Sequence, residues 1–432
     1  MSCVFVVDAN RTPLDPVHPG RARWLLKQKK AAILRRYPFT ILLKTEHTDE
    51  PGQLLRLKID PGSKTTGIAV VNDTTGQVVF AAEVHHRGQV IKKRLDDRRG
   101  VRRSRRQRKT RYRPARWANR RKKEGWLAPS IESRIHNVIT WVNRIRRWCP
   151  IGAISQELVK FDLQKMEHPE ITGREYQQGT LYGYELREYL LQKWQRRCSY
   201  CQQENVPLQV EHIVPRAKGG TNRASNVCLA CDACNKAKGT QDLAVFLAKK
   251  PDLLKKIQAQ AKAPLKDAAA VNATRWHLYQ RLKATGLPIE CGSGGLTKYN
   301  RTQRGLEKTH WLDSCCVGMS TPKLLGTTHV RPLFIQAMGH GSRQMCVTDA
   351  TGFPKQHKAR CKHSFGYQTG DIVKAIIPKG KYRGTYEGRI IIRHRPSFRL
   401  GTFDVHPQYL RCIHRADGFR YAQKGDGNSS HP

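Results

Sequence analysis

"QVEHIVPRAKGG", residues 209–220, sets Glu211 beside His212 within an apolar stretch of Val210, Ile213 and Val214. The chain has 79 Lys and Arg against 34 Asp and Glu, so acidic side chains are scarce in it. A strand that buries its neighbours has no packing use for an adjacent acid and base. Paired cysteines bracket the stretch: "CSYC" supplies Cys198 and Cys201, and "CDAC" supplies Cys231 and Cys234. Two C-x-x-C pairs, each biting from one tight turn, read as a tetrahedral zinc site that closes the intervening segment into a loop. "CLACDAC" is itself C-x-x-C-x-x-C, so Cys228 competes with Cys231 or Cys234 for the metal; the alternation in "NVCLA" makes Cys228 a strand core position and assigns zinc to the other two.

The bulk numbers narrow the class. A chain of 432 residues suits two to four domains. The apolar run Cys3–Val7 is too short for a leader core, and no run approaches the ~18 residues of a membrane span. Thirteen cysteines without an export signal argue against disulfides. The expectation is a soluble, cytoplasmic protein with no membrane partner. A formal charge of +45 opposes compaction unless a polyanion neutralises it. The charge runs along most of the chain rather than one amphipathic face, which favours nucleic acid over a lipid surface.

Three segments place carboxylates at telling positions. "LLRLKIDPGSKTTGIAVVN" reads as a strand ending at Asp60, a turn, and a second strand from Gly67 to Val71. "IGAISQELVKFD" is a strand, Ile151 to Ser155, ending in Glu157. "KTHWLDSCCVG" is helical in pattern and carries His310 and Asp313 three apart, on one face. Between the first two, residues 92–123 hold 18 Lys or Arg and two Asp in 32 positions. As a helix this block is cationic all round and needs a polyanion about it. Arginine outnumbers lysine there, and its planar fork suits phosphates and bases. Arg98, Arg99, Arg102, Arg103, Arg105, Arg106, Arg108, Arg111, Arg113 and Arg116 are the candidate nucleic-acid contacts, with Tyr112, Trp117 and a possible kink at Pro114.

The cysteine-bounded segment resembles the HNH (ββα-metal) nucleases. That resemblance makes His212 the general base, Glu211 and Asn235 ligands of one Mg2+, and Asn226 the residue fixing the loop that orients His212. It leaves Lys236 and Lys238 of "NKAKG" available to phosphates. Asp60, Glu157, His310 and Asp313 in that order resemble the motifs of a RuvC nuclease, an RNase H-like core whose acids hold two Mg2+ ions. A split RuvC core, an arginine-rich segment after its first motif and an HNH insertion before its last look like the IscB family of transposon-associated RNA-guided nucleases. Pro13, Leu14, Asp15 and Pro16 match its N-terminal signature, and residues 179–194 and 295–313 its connecting segments.

The resemblance implies a structured guide RNA (omega RNA), a double-stranded DNA target and one monomeric protein per RNA. HNH would cut the guide-paired strand and RuvC the displaced one. The rival readings are an unguided HNH endonuclease with a RuvC-like scaffold and a transposon-linked RNA-binding protein with vestigial sites.

The expected fold is α+β: a split RNase H-like α/β core, an inserted zinc module, an arginine helix and a β-rich C-terminal domain. The expected boundaries are 1–52 for the basic N-terminal domain, 53–91, 126–195 and 249–321 for the RuvC segments, 92–125 for the arginine helix, 196–248 for the HNH module and 322–432 for a C-terminal domain contacting RNA and the target-adjacent motif. "IESRIHNVITWVNRIRRW" gives an amphipathic helix with Ile131, Ile135, Val138 and Val142 on one face. "LKDAAAVNATRWHLYQRLKATG" gives another helix, capped near Gly286. "GDIVKAIIPKGKYRGTYEGRIIIRHRPSF" alternates like a small β-barrel, with Arg343, Gln344 and Lys355 in nearby loops as candidate base readers. Gly-rich "ECGSGG" shows no strand–helix pattern, and the final "KGDGNSSHP" reads as disordered.

Overall fold

The computed structural model describes residues 3–46, 52, 55–107, 125–158, 184–262, 266–339, 346–351, 353–357, 362–393 and 397–423. They fall into two units: Met1–Leu57, Lys64–Gly152 and Leu324–Pro432 form one, Lys58–Ser63 and Ala153–Lys323 the other. Among the described residues no helix is long and apolar enough to cross a membrane.

In the first unit the apolar run near the N-terminus is the strand Val4–Val7, inner member of a four-stranded sheet with Pro13–Val17, Thr40–Leu43 and Ala31–Arg35. Helix Pro19–Lys27, capped by the His18 ring, packs Ala22 into the core of Val4, Val6, Ala31, Ile41 and Leu43. Four further strands lie side by side in the order Thr65–Val71, Val78–His85, Leu333–Ala337, Phe419–Gln423. The first two form an antiparallel hairpin from Thr65↔His85 to Val71↔Val78. Thr65–Val71 is buried at every position, which accounts for the apolar run Ile68–Val71.

The helix expected from residues 131–148 spans Pro129–Trp148. It buries Ile135, Val138 and Val142, and the stripe extends through Trp141, Ile145 and Trp148 at three- and four-residue spacing. Trp141 meets Phe419 and Tyr421 edge-on, each at 6.0 Å between ring centroids. One turn on, Arg144 contacts Asp417 at 2.9 Å, and Asp417 also contacts Arg35 at 3.1 Å and His414 at 3.2 Å. Burial would raise the Asp417 carboxyl, but bonds from His414 and Tyr421 and the Arg144 charge outweigh it and hold it well below the usual carboxylate range. One acid thereby ties the N-terminal module, the long helix and the last strand together.

The arginine helix runs Gly88–Gln107, earlier than its expected start, and residues 92–107 are all exposed. Arg98, Arg99, Arg102, Arg103, Arg105 and Arg106 lie on it. Arg108, Tyr112, Arg111, Arg113, Pro114, Arg116 and Trp117 are outside the described residues, as are Arg343, Gln344 and residues 424–432. The C-terminal alternation builds a five-stranded antiparallel sheet in the order Phe403–Val405, Phe398–Leu400, Gly384–Ile391, Ile372–Ile377, Leu410–His414. Its edge strands do not pair with each other among the described residues, so the expected barrel is an open sheet there. Lys355 sits exposed in a separate hairpin, Cys346–Thr348 with Pro354–His357.

In the second unit the strands Ile289–Gly292 and Ile151–Glu157 pair in parallel, with Gly292 opposite Glu157, and Leu55–Pro61 follows them in order. Helices Lys266–Lys283, Gly294–Gln303 and His310–Cys315 belong to the same unit. The zinc-loop segment is a hairpin, Leu208–His212 with Val227–Cys231, followed by helix Asp232–Lys238. Its core takes in Leu190 of helix Tyr184–Lys193, Trp194 just past its end, and Ile257 of helix Pro251–Lys262. "ECGSGG" is a strand–helix junction after all: Ile289–Gly292 leads through Ser293, whose hydroxyl caps the helix starting at Gly294. The strand escaped notice because it has four residues, one acidic. A Cβ on Gly294 would stand 3.0 Å from the Arg196 guanidinium and 3.3 Å from Glu157, so side chains close off this turn.

Trp141→Ala empties a fully buried aromatic site and should cost about 3–5 kcal/mol. Thermal unfolding checks this; an unchanged midpoint would contradict the packing described.

Candidate active sites and metal centre

Cys198, Cys201, Cys231 and Cys234 converge: their Sγ atoms lie within 4.8 Å of one another, with Cys201 and Cys231 3.7 Å apart. Zinc–sulfur bonds of about 2.3 Å in a tetrahedron require sulfurs roughly 3.8 Å apart, so the donor set fits Zn2+. Burial raises the Cys198 thiol, but backbone N–H groups of Cys201, Cys231 and Tyr200 outweigh it and bring it down to about 7. Cys228 is not part of the cluster. It is fully buried, bonded to the Tyr200 hydroxyl at 3.4 Å, and burial pushes its thiol up to about 11.

The hairpin and its helix assemble the neighbouring site. Cys228 stands opposite Glu211, and Val227 opposite His212. His212 Nε2 lies 2.8 Å from Asn222 Oδ1. An amide oxygen only accepts, so Nε2 carries the proton and Nδ1 keeps the lone pair that a general base needs. Asn226 pins the connecting loop: Oδ1 accepts from the Val214 N–H at 2.9 Å, while Nδ2 donates to the carbonyls of Val214 at 3.1 Å and Thr221 at 2.8 Å. Asn235 donates through Nδ2 to Gln209 at 2.6 Å, which leaves its Oδ1 as an oxygen donor. Gln209 and Glu211, two apart on the strand, share a face.

Lys238 departs from expectation. Instead of offering its ammonium to phosphate, it is fully buried and donates to Glu211 Oε1 at 2.7 Å and to the His212 carbonyl at 2.8 Å. A short helix packed on the hairpin directs this side chain inward, where the acid satisfies it. Lys236 stays on the surface in a pair with Asp232. The Glu211 oxygen not bonded to Lys238, with Asn235 Oδ1, makes a hard-oxygen donor set suited to Mg2+.

Asp60, Glu157 and Asp313 come to one region of the second unit, each interacting electrostatically with another of the three. They do not close to ligand spacing as the thiols do, since among the described residues the cysteines alone form such a group. Cations stand between them. Arg275 donates to Glu157 Oε1 at 2.6 Å and to the Pro61 carbonyl, beside Asp60, at 3.1 Å. Arg301 contacts Asp313 at 2.7 Å. Burial, then the Glu157 charge, raises the Asp60 carboxyl well above its ordinary value; Arg275 opposes this and Asp313 adds to it. Burial likewise raises Asp313, against Arg301. The oxygens not paired to arginine are suitable donors for Mg2+. His310 begins the short helix, exposed, near Asp313.

Sequence reasoning missed Arg275, Arg301, Asn222 and the buried Lys58. Lys58 is two residues before Asp60, and its Nζ donates to Val317 O at 2.9 Å and Thr321 Oγ1 at 3.1 Å, fastening the Asp60 strand to the loop after the Asp313 helix. Glu290 holds the same loop through Ser320 N at 3.0 Å, and Gly318, at φ 86°, leaves it room: a Cβ there would meet Glu290 at 2.4 Å. The one sequence signal was a lysine between Leu57 and Ile59 in the strand "LLRLKID".

Two family models match the chain: RRXRR protein over residues 4–179 and HNH endonuclease over residues 198–247. No curated protein matches it. Solved structures paired with it include Streptococcus thermophilus Cas9 in complex with the GGAA PAM (13% identity, 62% of this chain, 32% of that one, TM-score 0.25) and with the AGGA PAM (11%, 61%, 32%, 0.24). Another is the Type II-C Cas9 enzyme from Actinomyces naeslundii (13%, 68%, 50%, TM-score 0.17). The chain thus spans about a third to a half of their lengths, 32% to 50%. Residues 198–247 are thus matched as an HNH endonuclease domain.

Cys201→Ser should unfold this domain, because metal binding supplies much of the folding energy of so small a module. Released zinc measured with a chelating dye and the loss of HNH cleavage check it; retained cleavage would contradict the zinc assignment. Lys238→Met leaves Glu211, only 13% exposed, without its buried partner, and should destabilise the domain by about 3–5 kcal/mol. Denaturant unfolding measures this, and a loss under 1 kcal/mol would mean that the pair is not formed in solution.

Proposed function

We propose that this chain is an RNA-guided DNA endonuclease of the IscB kind, with one cutting site in the HNH domain and a second, RuvC-like one at Asp60, Glu157 and Asp313. The observation that carries the reading is the HNH match over 198–247 coinciding with a hairpin that bears Glu211 and His212, a loop pinned by Asn226 and a following helix that bears Asn235. His212 Nδ1 takes the proton of an attacking water. Asn226 keeps the loop, and with it the histidine, in position. Glu211 and Asn235 supply oxygens to Mg2+, which when bound would polarise the scissile phosphate.

The second site rests on three acids from two strand ends and a helix. There Asp60, Glu157 and Asp313 would hold two Mg2+ ions, with His310 exposed and near Asp313. Arg275 and Arg301 keep the acids in place in the metal-free protein. The strand order Ile289–Gly292, Ile151–Glu157, Leu55–Pro61, followed in sequence by the antiparallel hairpin Thr65–His85, supports an RNase H-like core.

Guidance by RNA is supported by charge. Helix Gly88–Gln107 presents residues 92–107 to solvent, nine of them Lys or Arg, and needs a polyanion along its length. A structured RNA whose guide pairs with one DNA strand supplies it, leaving the C-terminal sheet and hairpins to read the flanking duplex.

Strand-resolved cleavage of a double-stranded target tests the division of labour. Asp60→Ala should leave a nickase that cuts the guide-paired strand, and His212→Ala one that cuts the other. Loss of both cuts from either single change would contradict the two-site reading. RNA of defined length should travel with the purified protein, and its absence would favour an unguided HNH endonuclease.

A further inference from the structure

The first unit contains a pocket of about 330 Å3 that shares no residue with either proposed nuclease site. It lies between helix Pro19–Lys27, the turn Arg36–Phe39, Phe80 and the start of strand Leu333–Ala337. Its floor is apolar: Val4, Ala22, Phe80 and Leu333 are each at most 6% exposed. Its rim is different. Phe39 is 38% exposed, Arg23 and Arg331 are exposed, and Arg36 lies over the Tyr37 ring at 5.5 Å. Among the described residues no carboxylate lines it; Arg36 is paired with Glu387, which leaves Arg23 and Arg331 as its cations.

We propose that this pocket binds one unstacked nucleotide of a single-stranded nucleic acid, its base against Phe39 and the apolar floor and its phosphates at Arg23 and Arg331. Size, shape and charge choose this occupant. The volume falls within the small-molecule range of about 300–1,000 Å3 and is too small for a duplex. An exposed aromatic beside guanidinium groups is the surface on which splayed bases stack. An apolar side chain of a protein partner would also fit the floor, but the surroundings select for an anion: residues 19–45 hold eight Lys or Arg and no Asp or Glu. Nearby, Arg21 stands over the exposed Trp24 at 4.3 Å and Lys30 at 5.3 Å, extending the cationic and aromatic surface. The proposal takes only the class of ligand from the nucleic-acid reading above and is independent of which residues cut.

Photocrosslinking of the full chain tests it, with short single-stranded RNA carrying 5-iodouridine and the DNA equivalent carrying 5-iododeoxyuridine. The expected result is a crosslinked peptide containing Tyr37, Phe39 or Phe80, competed by unlabelled single strands but not by duplex. Phe39→Ala, at an exposed position that spares the core, should lower this crosslink by about tenfold, in line with one lost base–aromatic stack. Arg23→Gln with Arg331→Gln should lower it as well and flatten its salt dependence. Stronger labelling by RNA than by DNA would assign the pocket to the guide, and the reverse to the target. Crosslinks confined to the arginine helix, or a pocket crosslink indifferent to Phe39→Ala, would overturn the pocket while leaving the nuclease reading intact. Crosslinks nowhere on the chain would overturn both.

Discussion

Each acid proposed to hold magnesium, except Asp60, is gripped by a cation carried on a different element. Glu211 is bound by Lys238, Glu157 by Arg275 and Asp313 by Arg301. Gathering carboxylates in a half-dry cleft costs free energy through desolvation and mutual repulsion, which is why Asp60 and Asp313 have raised carboxyl groups. A buried pair of this sort need not stabilise the fold, but breaking it strands a charge. The arrangement is best understood as positioning. Both strand ends and the short helix bring their acids to one region, and each paired carboxylate has a second oxygen that the proposed metals would use.

The same logic runs through the scaffold. Lys58 and Glu290, both outside the proposed ligand set, fasten the loop that follows Asp313. Asp417 gathers Arg35, Arg144 and His414. In a chain with 79 basic and 34 acidic residues, a buried acid is a scarce junction that several cations can share. Among the described residues, surplus positive charge is left outside along helix Gly88–Gln107, where the proposed nucleic acid would neutralise it.

Local chemistry was therefore legible and long-range pairing was not. The C-x-x-C pairs announce the thiolate cluster because each pair is a self-contained turn, and the alternation in "NVCLA" excludes Cys228 correctly. Strand ends at Asp60 and Glu157 follow from apolar runs that stop at an acid. Arg275 lies 118 residues from Glu157, in a helix whose sequence carries several other polar residues, so nothing local marks it as an active-site partner. Lys238 was misjudged because "NKAKG" looks like a surface loop, whereas the helix register turns this lysine into the core and leaves Lys236 outside. The junction at Gly292–Gly294 was missed because a four-residue strand has too few positions to show a period.

Anomalous scattering from Mn2+ bound to the intact protein–nucleic acid complex addresses the central claim most directly. The account predicts metal peaks among Asp60, Glu157 and Asp313 and a further peak at Glu211 and Asn235, with Arg275, Arg301 and Lys238 still on the opposite carboxylate oxygens or displaced from them. Metal bound elsewhere, with both acid clusters occupied by their cations alone, would contradict it.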